Sequence, residues 1–213
     1  MLMTLSASAF AQYTPSFGLR AGLSSAGMRG ESVDNLKNLL DFAKDKITTK
    51  NRTGFFAGGY ASIPVSKKVF IEPGLYYTQK GYELVGAVAV KGVEFLNANA
   101  KAQLKSNYLD LPILLKAEID GLSIFAGPQF SYLMNADLVT SGGVLGINLF
   151  NKTLDATSQF NRWDMGITAG VGYTFGNGVN ISAAYDLGLQ KVDANKNVSS
   201  YNNAIKIGLG IKF

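Results

Sequence analysis

The stretch "RWDMGITAGVGYTF" at residues 162–175 constrains this chain more than any other. Every second residue from Trp163 onward is apolar: Trp163, Met165, Ile167, Ala169, Val171, Tyr173 and Phe175. The residues between them are Asp164, Gly166, Thr168, Gly170, Gly172 and Thr174. A period of two means a strand, and here one face is continuously apolar while the other holds glycine and short polar groups. An apolar outside and a small, polar inside is what a strand facing lipid on one side and a polar lumen on the other requires.

Seven further segments carry the same alternation: 17–28, 54–64, 69–82, 108–119, 122–133, 179–189 and 201–213. With 162–175 they make eight strands, each long enough to cross a bilayer when tilted. The connections alternate between long (29–53, 83–107, 134–161, 190–200) and short (65–68, 120–121, 176–178). The expectation is an all-β fold, an eight-stranded antiparallel up-and-down transmembrane barrel with short periplasmic turns and long extracellular loops. Closure also satisfies the backbone, since every N–H and C=O within hydrocarbon must be paired by the protein itself.

Composition narrows the function. No run of about 18 apolar residues exists, so a helical membrane protein is not expected. Histidine and cysteine are absent, which removes histidine-based triads, H-E-x-x-H zinc sites, thiolate metal sites and disulfides. No enzyme activity and no cofactor are expected. The net charge of +5 is spread along the chain without a basic stripe, so nucleic acid is not an expected partner. The start "MLMTLSASAFAQYT" ends in a small-x-small pattern at Ala9-Phe10-Ala11, read as a residual signal peptide over 1–11 with the barrel domain spanning 12–213.

Parity assigns the side chains. Arg20, Glu72, Lys80, Asp110, Lys116, Asp164, Asp186, Lys206 and Lys212 fall on the inward face and are expected to form a lumen charge network. An eight-stranded barrel is narrow enough for such groups to fill it, pairing opposite charges across the interior; the competing reading is a gated path for ions or small solutes. Tyr76, Tyr77, Tyr132, Trp163 and Tyr185 lie near strand ends and are expected to form an aromatic girdle at the headgroups. Pro112 within 108–119 removes a ladder donor and predicts a local bulge.

Several stretches together resemble the PorT-like outer-membrane β-barrel domain proteins of Bacteroidota. They are "GLRAGLSSAGM" (18–28), "IEPGLYYTQKGY" (71–82), "YLDLPILLKAE" (108–118), "FAGPQFSYLM" (125–134) and "AIKIGLGIKF" (204–213). The resemblance covers strands and none of the long loops. It implies an outer-membrane location, lipid as the surrounding partner, and a C-terminal aromatic, Phe213, read by the barrel-assembly machinery. The family's namesake is tied to protein secretion, but no loop residue here carries that role over.

The long loops have their own patterns. Val33, Leu36, Leu40, Ala43 and Ile47 recur at helical spacing, with Ser32 as N-cap, predicting an amphipathic helix that docks a partner or lies on the rim. The 83–107 connection predicts a hairpin around Lys91-Gly92 extending its two strands outward, and 134–161 is similarly apolar for a loop. The glycines of "SGGVLG" lack the Lys and Ser/Thr of a phosphate-binding loop. These features favour a non-enzymatic barrel, structural or binding an extracellular or periplasmic protein through its loops, over a narrow channel or a secretion accessory.

Overall fold

The computed structural model describes residues 14–31, 46–89, 97–144, 147–194 and 199–213. Among these residues are nine strands: β1 (Ser16–Arg29), β2 (Lys46–Pro64), β3 (Val69–Ala89), β4 (Asn97–Ile119), β5 (Leu122–Val144), β6 (Ile147–Asp155), β7 (Trp163–Thr174), β8 (Val179–Gly188) and β9 (Tyr201–Lys212). All pairings between them are antiparallel. Eight close in a ring, β1-β2-β3-β4-β5-β7-β8-β9, with β9 returning to β1, while β6 pairs only with the outer half of β5. The eight expected strands are thus the eight barrel staves, and β6 is an addition.

The short connections are turns that the sequence prescribes. Asp120 and Gly121 both adopt left-handed backbone (φ 51° and 83°), the two-residue geometry whose twist matches a hairpin. In the 176–178 turn Gly178 supplies the positive φ of 85°, and the Phe175 N–H donates to Val179 O at 2.8 Å. Val65 and Ser66 close the remaining turn on Val69 O. Phe17 and Phe213 exchange backbone bonds in both directions, so the two ends of the barrel chain meet on this same rim.

Alternation along each stave follows the expected parity. Trp163, Met165, Ile167, Val171 and Tyr173 point outward and are exposed, as are Leu109, Leu111, Ile113 and Leu115 of β4 and Ile205, Ile207, Leu209 and Ile211 of β9. The inward glycines make room for interior rings. A Cβ on Gly170 would lie 2.6 Å from the Phe125 ring, and one on Gly208 would lie 2.7 Å from that of Phe56.

Three expectations change. Pro112 sits in a ladder whose register is the same on both sides of it; pairing lapses there without a bulge. The bulge of this hairpin is between Asn107 and Tyr108, where Met134 of β5 is the extra residue. The stripe expected to run as a helix to Ile47 does not reach it, because Lys46 and Ile47 already pair with β3; its remainder, like residues 1–11, lies outside the described residues. The 134–161 connection is largely strand, with β5 continuing to Val144 and β6 pairing back on it. The hairpin expected over 83–107 is present, paired out to Ala89 and Asn97.

The staves differ in height. β2 to β5 run 19 to 23 residues, whereas β1, β7, β8 and β9 run 10 to 14. Because all share the short-turn rim, the excess of β2 to β5 stands at the opposite end, about 30 Å of extra strand at roughly 3.3 Å per residue. This end carries β6, a short 3-10 turn at Thr157–Gln159 and the Phe160–Asp193 bridge.

Candidate functional site

The interior begins at the short-turn rim with Lys212 and Lys116, whose ammonium groups lie 5.8 and 5.4 Å from the Phe70 ring centroid. Above them Glu72 receives Arg20 at 3.1 Å and Lys116 at 3.3 Å, and Lys116 also meets Glu118 at 3.0 Å. An aromatic layer follows, in which Phe56, Tyr60 and Tyr76 form one buried cluster and the Arg20 guanidinium stacks 4.5 Å from the Tyr60 centroid.

Beyond that layer is a second ionic knot. Asp110 is 0 % exposed and holds Lys80 and Lys206 at 2.9 Å each, while Lys206 also meets Asp186 at 2.6 Å. Ser131 donates to Asp110 Oδ1 at 2.6 Å, and the Thr168 hydroxyl lies 2.8 Å from Asp186 Oδ1 and 2.9 Å from Gln129 Oε1. The lower knot thus has Arg20 and Lys116 against Glu72 and Glu118; the upper has Lys80 and Lys206 against Asp110 and Asp186. Each is neutral by itself. Such knots need several mutual contacts, because desolvation offsets much of the attraction within any one pair.

All nine charges expected inside are placed on the inner side, but the structure does not bring them into one network. Asp164, expected to pair, makes no ion pair among the described residues. Asn202 Nδ2 donates to its Oδ2 at 2.8 Å, and its Oδ1 accepts no bond. Lys80 lines the same small cavity as Asp164 but places its ammonium on Asp110 and Ser131 instead. Lys212 is likewise outside both knots. Glu118, a partner of Lys116, was not among the expected charges; it lies on the inward parity of β4.

Space inside is scarce. A cavity of about 40 Å³ touches Arg20, Phe56, Tyr76, Phe125 and Lys206, and another of about 10 Å³ lies beside Lys80, Asp164 and Asn202. The second is the size of a single water. At the tall end Leu104, Tyr108, Leu133 and Ala136 form a buried cluster, with Met28, Tyr82 and Phe160 packed on it. Burial, with Asp193 nearby, raises the Tyr82 phenol above its usual range.

Of the rings expected on the outside, Tyr132 and Trp163 meet edge to face at 5.0 Å, Tyr77 lies 5.6 Å from Phe55, and Tyr185 is exposed. Tyr76 is a correction. It is 7 % exposed and turned inward, because its neighbour Tyr77 occupies the outward position and adjacent strand residues cannot share a face. A set of rings that the sequence reading missed lies at the other rim, where Tyr173 and Phe175 meet at 5.0 Å and Phe17 and Phe213 are exposed.

The outward face of the tall staves changes character abruptly. On β4 it runs Leu115, Ile113, Leu111, Leu109 and then Asn107, Lys105, Gln103, Lys101; on β3, Leu75 and Tyr77 give way to Gln79 and Glu83. The Met134 bulge re-aims β5 so that Asn135 and Asp137 join this polar face. Polar side chains there bond one another: Lys101 to Glu83 at 2.8 Å, Gln103 to Glu83, Asn107 to Asn135 at 3.0 Å and Asn135 to Asp137 at 3.0 Å. The inner face of the same extension is apolar, with Tyr82, Leu104, Leu138 and Leu154 in one cross-strand row. Hydrocarbon therefore ends within two residues of the Tyr77–Leu109–Tyr132 row, and β2 to β5 continue beyond it as a wall in water.

A closed barrel with an apolar exterior, paired charges within and one polar-faced extension is an integral membrane protein that crosses with strands. The sequence agrees: residues 10–194 match the family described as outer membrane protein beta-barrel domain, and the chain belongs to that family and to the bacterial outer membrane. No curated protein sequence matches it. Similar solved structures include Ail, the attachment invasion locus protein of Yersinia pestis, in complex with the heparin analogue sucrose octasulfate (11 % identity, 93 % of this chain and 97 % of that one, TM-score 0.41). Others are neisserial surface protein A (15 %, 94 % and 100 %, TM-score 0.41) and OprG from Pseudomonas aeruginosa (14 %, 93 % and 95 %, TM-score 0.41).

Proposed function

We propose that this barrel is a closed, non-enzymatic platform that holds a binding wall above the outer-membrane surface. The observation that carries this reading is the change of polarity along β2 to β5. Strands that needed only to span hydrocarbon continue about ten residues further, with a hydrogen-bonded polar outer face and an apolar inner one. The two ionic knots and the aromatic layer between them support a lumen that is filled rather than open. The sequence lacks histidine and cysteine, so the buried serines of the described interior have no imidazole beside them to act as base.

The finer assignment follows the sequence resemblance to PorT-like proteins of Bacteroidota. On it, Phe213 is recognised by the barrel-assembly machinery during insertion; the small-x-small pattern makes residues 1–11 the remainder of a signal peptide, and their places near strand ends make Tyr77, Tyr132, Trp163 and Tyr185 anchors at the headgroups. Phe213 is 71 % exposed at the rim, where an assembly factor has access to it.

Purified barrel in planar bilayers tests the platform reading. It gives no steady conductance at moderate voltage. Steady, ion-selective current through the unmodified protein, with selectivity altered by Asp110→Asn, establishes the narrow channel instead. Location is read independently: a cysteine at Lys101 reacts with an impermeant maleimide on intact cells, and one at Asn177 does not.

A further inference from the structure

The wall ends in an open edge. β6 is paired on one side to β5, and among the described residues nothing pairs with its other side. The Ala156 N–H donates to Ala136 O at 2.8 Å, and from that bond the antiparallel alternation runs back through the Leu154–Leu138 and Lys152–Thr140 pairs. The N–H and C=O groups of Asn151, Thr153 and Asp155 are therefore directed away from the sheet. Residues 151–155 are all exposed, Leu154 to 46 %. An edge of this kind is a template for another strand.

Resting on the reading of the wall as a binding surface, we propose that β6 binds an extended polypeptide segment of another protein, added antiparallel beyond Asn151–Asp155 with a lysine or arginine beside Asp155. The strand direction selects the occupant. Copies of this chain inserted in one membrane share its normal, so their β6 strands run the same way and pair only in parallel, the less favourable ladder. A segment from a protein outside the membrane has no such restriction and continues the antiparallel order of β3 to β6. Charge specifies the rest. Lys105, Asp137 and Asp155 lie in one cross-strand row, with the two carboxylates as direct neighbours. Like charges side by side on a sheet are unfavourable, and a cation at the next position of the row relieves them. One residue along, on the opposite face, the incoming strand meets Leu154 and takes an apolar side chain. The recognised segment therefore alternates, with a basic residue followed by an apolar one.

The probe is a fluorescein-labelled peptide, Val-Lys-Val-Thr-Glu-Thr-Val, titrated onto the full-length barrel in nanodiscs. Saturable binding is expected. It weakens at least tenfold when the Lys and both Thr amides of the peptide are N-methylated, which removes the bonds to β6 but keeps every charge. Thr153→Pro weakens it by a similar factor. That substitution deletes a donor unused within the fold and leaves the Lys152 and Leu154 bonds to β5, so the amides of Leu138 and Thr140 stay protected from hydrogen exchange. In the free barrel the amides of Asn151, Thr153 and Asp155 exchange fast, and peptide slows them at least tenfold. Absence of saturable binding, equal binding by the N-methylated peptide or by Thr153→Pro, or slow exchange of these three amides in the free barrel overturns the edge site. None of these outcomes touches the platform reading, which stands or falls on conductance of the same preparation.

Discussion

The two sides of this barrel are built from the same alternation and end differently. Around β7, β8, β9 and β1 the strands stop close to where their outward apolar residues stop: Trp163 opens β7, and Leu189 follows β8 directly. Around β2 to β5 the outward apolar run is no longer, yet the strands continue, and the side chains exchange faces: polar outward, apolar inward. The height of a stave is therefore not set by the bilayer. The bilayer fixes where each outward row must be apolar, and the rest of a strand is free to serve water. Bulges at the boundary, between Asn51 and Phe56 in β2 and at Met134 in β5, let one continuous strand meet both solvents.

The largest expected effect lies in the base that both sides share. Asp110→Ala strands Lys80 in a closed interior and leaves Lys206 with Asp186 alone, and the unfolding midpoint in lipid vesicles should fall by the equivalent of about 3 to 5 kcal/mol, the cost of breaking a buried ion cluster. Glu83→Gln on the wall breaks an ion pair that is partly exposed and should change the same midpoint by less than about 1 kcal/mol. A smaller pair of changes locates the boundary itself. Leu111→Arg puts a cation on the lipid face and should cost about 2 to 4 kcal/mol, whereas Gln103→Arg, eight residues along the same face of β4, should be close to neutral. Equal penalties at the two positions would place Gln103 in hydrocarbon and erase the distinction between stave and wall.

The barrel was legible because lipid imposes a strict period of two, and every one of the eight staves keeps it. The wall was less legible for the same physical reason in reverse. Met134 and the irregularity at Gly142–Gly143 each shift the register, so a pattern counted by alternate residues breaks where β5 continues, and β6 reads as an apolar loop. Tyr76 was misplaced by counting aromatics near a strand end without applying the parity that its neighbour Tyr77 already fixed. The inward positions of Lys80, Asp110 and Lys206 follow from sequence, but their pairing does not, since it depends on which residues the tilted staves bring to one height. Asp164 shows the difference: it has the right parity, yet the nearby Lys80 goes to Asp110.

That position makes a weaker prediction. Asp164→Asn keeps an oxygen for Asn202 and removes a charge that makes no ion pair among the described residues, so the midpoint should shift by less than about 1 kcal/mol, in contrast with Asp110→Ala. A loss as large as that of Asp110→Ala would mean that Asp164 belongs to the upper knot after all.

The smallest effect belongs to the foot of β6, where Asp155 faces Asp137. Asp155 accepts the Thr157 N–H at 2.8 Å, and bonding from Thr157 holds its carboxyl below the usual carboxylate range. A depressed value in the folded protein means that the interaction is complete above the carboxyl's ordinary range and is lost as pH falls through the lowered one. Acidification should therefore loosen the Thr157–Gln159 turn while the barrel stays folded. The group is fully exposed, so the midpoint of global unfolding is the wrong measurement. Hydrogen exchange at the Thr157 amide, corrected for the intrinsic pH dependence of exchange, should lose its protection at acid pH in the unmodified protein. In Asp155→Asn the side-chain oxygen is kept and the titration removed, so protection should be independent of pH. If both proteins lose protection together, the turn is released by titration elsewhere on the wall, and Asp155 is not the group that ties the end of β6 to the base.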